Sequence, residues 1–236
     1  MGLDPVHEVV SGIWQIEKPE VPKSMAVVDC HTHTYFSGDS HTSISQFAEN
    51  FETSGLTHAF VTDHQSVSAF PLLQKRLGQR VICGQEQRVR EGEIIGLFIN
   101  EKIPPGLRLS DASKAIRGQG GVVYACHPMD EKRFSLGIED LMNSLENGWI
   151  DAIELCNSKS ASINPKISEI AERFSIPLLG GSDSHVASAI GSSGAVMPWF
   201  SSSQTFLRAA ANAVPFGRYF DPSNSWPLPI VPTTSD

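Results

Sequence analysis

Met25-Ala26-Val27-Val28-Asp29-Cys30-His31-Thr32-His33 is the stretch from which the rest of this chain can be read. The apolar run has strand length, and side chains alternate between the faces of a strand. His31 and His33 therefore project together from its C-terminal end, with Asp29 in line behind them. Two imidazoles aimed at one point suit a metal ion. An isolated His-X-His equally suits a hydrogen-bonded turn, so the choice between them rests on the remainder of the chain.

Four later segments repeat the design: Val61-Thr62-Asp63-His64, Gly84-Gln85-Glu86, Ala125-Cys126-His127-Pro128 and Gly181-Ser182-Asp183-Ser184-His185. Each closes an apolar run of strand length, and a region able to hold a helix separates each run from the next. In a parallel α/β architecture the C-terminal ends of the strands meet on one face, where ligands bind. The scattered His and acidic residues are thereby predicted to converge.

The 236 residues, 40% hydrophobic and 19% charged, suit one globular domain with a large core. The expected organisation is an N-terminal extension over 1–24, a barrel domain over 25–220 and a Pro/Ser-rich tail over 221–236. Val9, Val10, Ile13, Trp14 and Ile16 of the extension are positioned to dock on the body, and His7 reads as a solvated bystander. A net charge of -8 argues against a chain that wraps long nucleic acid, though not against a nucleotide. No basic region leads into an apolar core at the N-terminus and no run approaches a membrane span, which predicts a cytoplasmic protein without a membrane partner. The four cysteines lack zinc-finger spacing; by alternation Cys30 faces away from His31 and Cys126 away from His127, as core filling.

Between the motifs, Ile44, Phe47, Ala48 and Phe51 mark a helix face ending at Gly55, and further helices are expected around 69–77, after Ser110, over 138–145, after Asn164-Pro165 and over 203–213. His58 opens its strand, at the end away from the site, and reads as structural. In the loop after the first motif Asp39 and His41 are both candidate ligands, and the residues alone do not choose between them.

Together, Asp-X-His-X-His at 29 to 33, Thr-Asp-His at 62 to 64, Gly-X-Glu at 84 to 86, His-Pro at 127 and 128 and Ser-Asp-Ser-His at 182 to 185 resemble the polymerase and histidinol phosphatase (PHP) superfamily, over roughly residues 25–200. The resemblance implies a distorted (β/α)7 TIM-like barrel with two or three divalent metals at the C-terminal face of its strands. It implies a first metal on His31, His33, Glu86 and Asp183, a second on Glu86 and His127, and a third on Asp39, His64 and His185. Asp39 is preferred over His41 because the family ligand falls six residues after the second His of the first motif. Where many family members carry a further His, this chain has Glu93, an oxygen ligand to the second metal or an exposed glutamate.

Mixed His and carboxylate ligation suits Mn, Fe or Zn. Such ions lower the pKa of a bridging water and neutralise charge on a phosphoryl group, so the catalytic group is expected to be a metal-bridging hydroxide. Asp63 and Glu154 read as groups that orient metal-bound imidazoles. Arg133, Lys159 and Arg88 are the cations expected at a phosphate, with Asn157 beside Lys159. The expected activity is hydrolysis of a small phosphorylated metabolite or nucleotide, a phosphomonoester being favoured. The alternatives are an amidohydrolase-type reaction at the same metals and a non-catalytic metal-binding domain.

Overall fold

A computed structural model describes residues 14–220; the readings placed on His7, Val9, Val10, Ile13 and the tail from 221 lie outside them. In chain order the strands are β1 (Gln15–Ile16), β2 (Met25–Thr32), β3 (His58–Val61), β4 (Val81–Arg88), β5 (Glu93–Leu97), β6 (Val122–Ala125), β7 (Ala152–Asn157), β8 (Leu178–Gly181), β9 (Ser193–Pro198) and β10 (Val214–Arg218). The helices are α1 (Ile44–Ser54), α2 (Phe70–Leu77), α3 (Leu109–Gly118), α4 (Ile138–Glu146), α5 (Lys166–Phe174) and α6 (Ser203–Ala210). All ten strands form one curled sheet in the order β1-β10-β9-β2-β3-β4-β5-β6-β7-β8.

The α/β class agrees with expectation, but the sheet does not follow a regular (β/α)7 alternation. β4 and β5 form a hairpin with no helix between them, β5 and β6 are antiparallel, and β9 and β10 run antiparallel to their neighbours. Only the pairs β2/β3, β3/β4, β6/β7 and β7/β8 are parallel. The hairpin has a local cause: four residues, Val89-Arg90-Glu91-Gly92, separate β4 from β5, which is too short for a crossover helix. Gln15 and Ile16 extend the sheet by pairing with β10, so this part of the N-terminal extension is built into the domain.

Strand alternation sorts the core. Val28, Ile95 and Tyr124 point to an inner cluster that includes Phe60, Leu179, Met197 and Phe206 of α6. Their neighbours Ile94 and Val123 point outward beneath α3, α4 and α5, and Val27 packs with Phe47 and Phe51 of α1. α1 starts at a capping box between Ser43 and Gln46. His58 lies where expected, its ring against Trp199 and Phe200 at centroid distances of 5.3 and 4.9 Å. Among the described residues no helix is long and apolar enough to cross a membrane.

Candidate metal centre

The curl of the sheet brings the first and last motifs together. Asp183 N–H donates to His31 O at 2.7 Å and His33 N–H to Ser184 O at 3.1 Å. Asp29, fully buried beneath them, accepts from the N–H groups of His31, Ser182 and Gly191 at 3.2, 2.9 and 3.0 Å. Burial outweighs these bonds and pushes the Asp29 carboxyl up to about 6. Gly181 sits so close to His31 and Glu154 that a Cβ there would overlap both. His127 and Asp183 hold left-handed backbone, φ 31° and 50°, which non-glycine residues adopt at a cost.

His31 Nε2, His33 Nε2, Glu86 Oε2 and Asp183 Oδ1 converge on one point. The pairs among them that include an imidazole span 3.0 to 3.7 Å, around the ~3.4 Å that separates donors on a tetrahedral ion with bonds of about 2.1 Å. The far side of each ring supports the same conclusion. His31 Nδ1 meets Glu154 Oε1 at 3.2 Å. Ser37 gives its hydroxyl proton to Asp63 at 2.8 Å and therefore accepts from His33 Nδ1 at 2.9 Å. With Nδ1 as the donor on both rings, the two Nε2 lone pairs face each other and the carboxylates, an arrangement that a cation satisfies. The local field favours a positive charge as well: burial would lower His31, but Asp183, Glu154 and Glu86 outweigh it and raise the imidazole well above its usual range.

Glu86 turns its other oxygen to His127 Nε2, at 3.0 Å, so its carboxylate joins two ligand groups. Register holds it there, because Glu86 N–H donates to Thr62 O and Gln65 N–H to Glu86 O. Cys126 corrects the sequence reading: its sulfur lies 3.5 Å from Glu86 Oε1, within the Glu86–His127 group. β6 ends at Ala125 and the left-handed φ of His127 breaks the alternation on which the opposite orientation was based. Glu93 is buried and groups with His64 and Glu86, while Arg88 binds its Oε1 at 3.2 Å.

Asp39 Oδ2 lies 3.4 Å from His64 Nε2 and 3.2 Å from His185 Nε2, and His33, His64 and His185 form a further potential ligand group. His41 joins none of the groups found among the described residues; its N–H binds His185 O. Burial would lower His64, yet the Asp39 and Glu86 carboxylates outweigh it and push the imidazole up to about 9, whereas burial and His33 hold His185 down at about 4. At pH 7 His64 thus carries a proton that a metal bound through this ring would have to displace. Titrating metal-free protein with Mn or Zn will release protons, and affinity will rise with pH up to about 9. Calorimetry in buffers of different ionisation enthalpy measures the release, and none at pH 7 would contradict the assignment of His64 as a ligand.

The orienting groups are more indirect than the sequence suggested. Glu154 meets His31 directly and also accepts from Tyr124 OH, His127 N–H and Asn157 Nδ2 at 3.2, 2.7 and 2.9 Å. Among the described residues Asp63 makes no hydrogen bond to an imidazole; it accepts from Thr34 and Ser37, and Ser37 relays it to His33. Ser135 Oγ meets His127 Nδ1 at 3.0 Å. Neither serine is marked in the sequence by anything beyond its hydroxyl. Asn157, expected near substrate, turns its amide to Glu154 and Asp183.

A cleft of about 550 Å³ opens over these groups, with Arg88, Lys132, Arg133 and Lys159 on its walls. Arg133 Nη1 contacts Asp183 Oδ2, and Lys159 Nζ lies 3.8 Å from Asp183 Oδ1 and 3.1 Å from the His185 ring nitrogens. Burial would raise Asp183, but Arg133, His31 and Lys159 outweigh it and hold the carboxyl well below its usual range. The guanidinium of Arg88 stacks over Phe134 at 5.0 Å.

A family model described as PHP-associated matches residues 162–211. Two uncharacterized proteins of Methanocaldococcus jannaschii are similar in sequence. MJ1587 is 30% identical over 165 residues, 61% of this chain and 94% of that protein. MJ0417 is 35% identical over 114 residues, 47% of this chain and 48% of that protein, so the match spans about half its length. In three dimensions the chain resembles a two-domain Bacteroides vulgatus protein described as containing a predicted PHP-like metal-dependent phosphoesterase. The TM-score is 0.71 at 18% identity, covering 85% of this chain and 68% of that one. It also resembles the lesion-specific endonuclease EndoQ of Pyrococcus furiosus, with a TM-score of 0.62 at 17% identity, covering 83% of this chain and 57% of that one.

Proposed function

The chain belongs to the polymerase and histidinol phosphatase (PHP) superfamily, and from that premise we propose that it hydrolyses phosphate esters at a cluster of two or three divalent metal ions. The observation that carries this reading is the wall of cations directly over the ligand cluster, with Arg133 and Lys159 both at Asp183. A net charge of -8 makes such a local concentration of positive side chains informative, because an anionic substrate is the ligand it would attract.

His31, His33, Glu86 and Asp183 would hold one ion, Glu86 and His127 with Glu93 a second, and Asp39, His64 and His185 a third. When bound, the ions supply an activated water and neutralise charge building on the phosphoryl oxygens. The chain's own residues do the rest. Glu154, and Asp63 through Ser37, keep the imidazoles aimed inward. Arg133 and Lys159 bind and orient the phosphoryl group, and Arg88 and Phe134 border the space left for the alcohol. A small phosphomonoester, metabolite or nucleotide, fits a cleft of about 550 Å³. The same cations weigh against an amidohydrolase-type reaction on a substrate without an anionic group.

Phosphate release from a panel of phosphomonoesters and phosphodiesters, with Mn, Zn or Fe supplied, tests the reading. Arg133→Ala is expected to lower kcat/KM by about 100-fold, as loss of a charged substrate contact does, with metal content unchanged. Bound metal with no phosphate released from any substrate would overturn it.

A further inference from the structure

We infer that Trp14, which lies ahead of the barrel in sequence, is a positioning residue for the phosphate-binding cations Arg133 and Lys159. This rests on the phosphoesterase reading of the site. The Trp14 indole is buried, and its Nε1–H donates to Ser160 O at 2.8 Å. Ser160 Oγ donates to Asp130 Oδ2 at 2.6 Å, and the same oxygen receives Arg133 Nε at 3.4 Å. Arg133 in turn reaches Asp183. One run of contacts, through the backbone carbonyl and the hydroxyl of Ser160, thus joins the N-terminal extension to the cation over the ligand cluster.

The loop that receives Trp14 also carries Lys159, and residues 220 and 219 bond to the loop and to Trp14. Phe220 N–H donates to Ser158 O at 2.7 Å and Tyr219 N–H to Trp14 O at 3.0 Å. Asn157 closes the loop from within, accepting Ser160 N–H on its carbonyl at 3.1 Å and Lys159 N–H on Oδ1 at 2.9 Å. Backbone groups of the loop are therefore held by segments far away in sequence, and the aim of both cations depends on them. A long flexible cation loses rotamer freedom when it clamps a ligand, so anchoring it beforehand raises affinity.

Inorganic phosphate is the probe, titrated calorimetrically into the metal-loaded full chain. Trp14→Phe keeps the apolar body and removes only the N–H donor. We expect phosphate affinity to fall about tenfold in Trp14→Phe and in Ser160→Ala, as for other residues that support ligands from behind, with metal per chain as in wild type and only the modest fall in thermal midpoint that losing one buried hydrogen bond brings. Arg133→Ala separates the two levels of inference. If it binds phosphate as wild type does, the clamp reading itself fails. If it has lost phosphate while Trp14→Phe and Ser160→Ala bind it normally, the positioning role fails alone. A Trp14→Phe defect that comes with lost metal would also overturn it, by making Trp14 a plain fold residue.

Discussion

Replacing Glu86 by alanine will reduce phosphate release by about 10³-fold or more and lower the metal content of the purified protein, since a metal's charge stabilisation is worth several kcal/mol and each 1.4 kcal/mol is about a factor of ten. No other described side chain is placed as Glu86 is. Its Oε2 lies 3.2 Å from His31 and from His33 and 3.1 Å from His64, while its Oε1 lies 3.0 Å from His127. The Ala variant leaves these imidazoles without the carboxylate that joins them, with Asp183 facing only His31 and His33 of the four. Glu86→Gln offers one acceptor oxygen and turns an NH2 toward rings whose lone pairs must stay open, so it should rescue little. Elemental analysis and phosphate release on the same samples provide the check. Full metal content with wild-type turnover in Glu86→Ala would show that the carboxylate does not join the ligand groups.

Gly181→Ala will damage the same centre without touching a ligand's own chemistry. The new Cβ would overlap His31 Cβ, and it would lie 2.6 Å from Glu154 Oε1 and 2.9 Å from His31 N. Both neighbours are fixed: His31 beside the end of β2 by its bond to Asp183, Glu154 by the donors His31, Tyr124, His127 and Asn157. Neither can withdraw cheaply. Overpacking of this kind costs about 1–3 kcal/mol, which lowers the midpoint of a chain this size by roughly 2–12 °C. Displacing Glu154 from His31 should weaken metal binding by about 10- to 100-fold. Gly118→Ala is the control, because a Cβ at that position meets nothing. Thermal melts and metal titrations of the two variants decide the matter, and a Gly181→Ala protein indistinguishable from Gly118→Ala would refute the close approach.

Most of the candidate site could be located from local sequence. A ligand at the end of a strand needs only a run such as Met25–Val28 before it and a side chain of the right chemistry after it, and both are written in adjacent residues. That is why His31, His33, His64, Glu86, His127, Asp183 and His185 could be named together, and why β2 to β8 correspond to recognisable apolar runs. The place of Asp39 in preference to His41 came from family spacing; in the fold its Oδ2 lies beside His64 and His185.

What tertiary structure decided depends on contacts between distant segments. The turn of Cys126 toward Glu86 follows from one backbone angle at His127 that no periodicity encodes. The work of Ser37 and Ser135 depends on which imidazole happens to lie within reach of an ordinary hydroxyl. Asn157 faces Asp183 because β7 and β8 pair in one particular register. The antiparallel places of β9, β10 and the short β1 are chosen by packing across the whole chain, and with them the docking of Trp14 on Ser160. Sequence alone determined the chemistry available at each strand end, because that chemistry is local. Which groups meet, and which are held still for a substrate, was decided by the curl of the sheet, because only folding brings residues 14, 31, 86, 130, 160 and 183 into one neighbourhood.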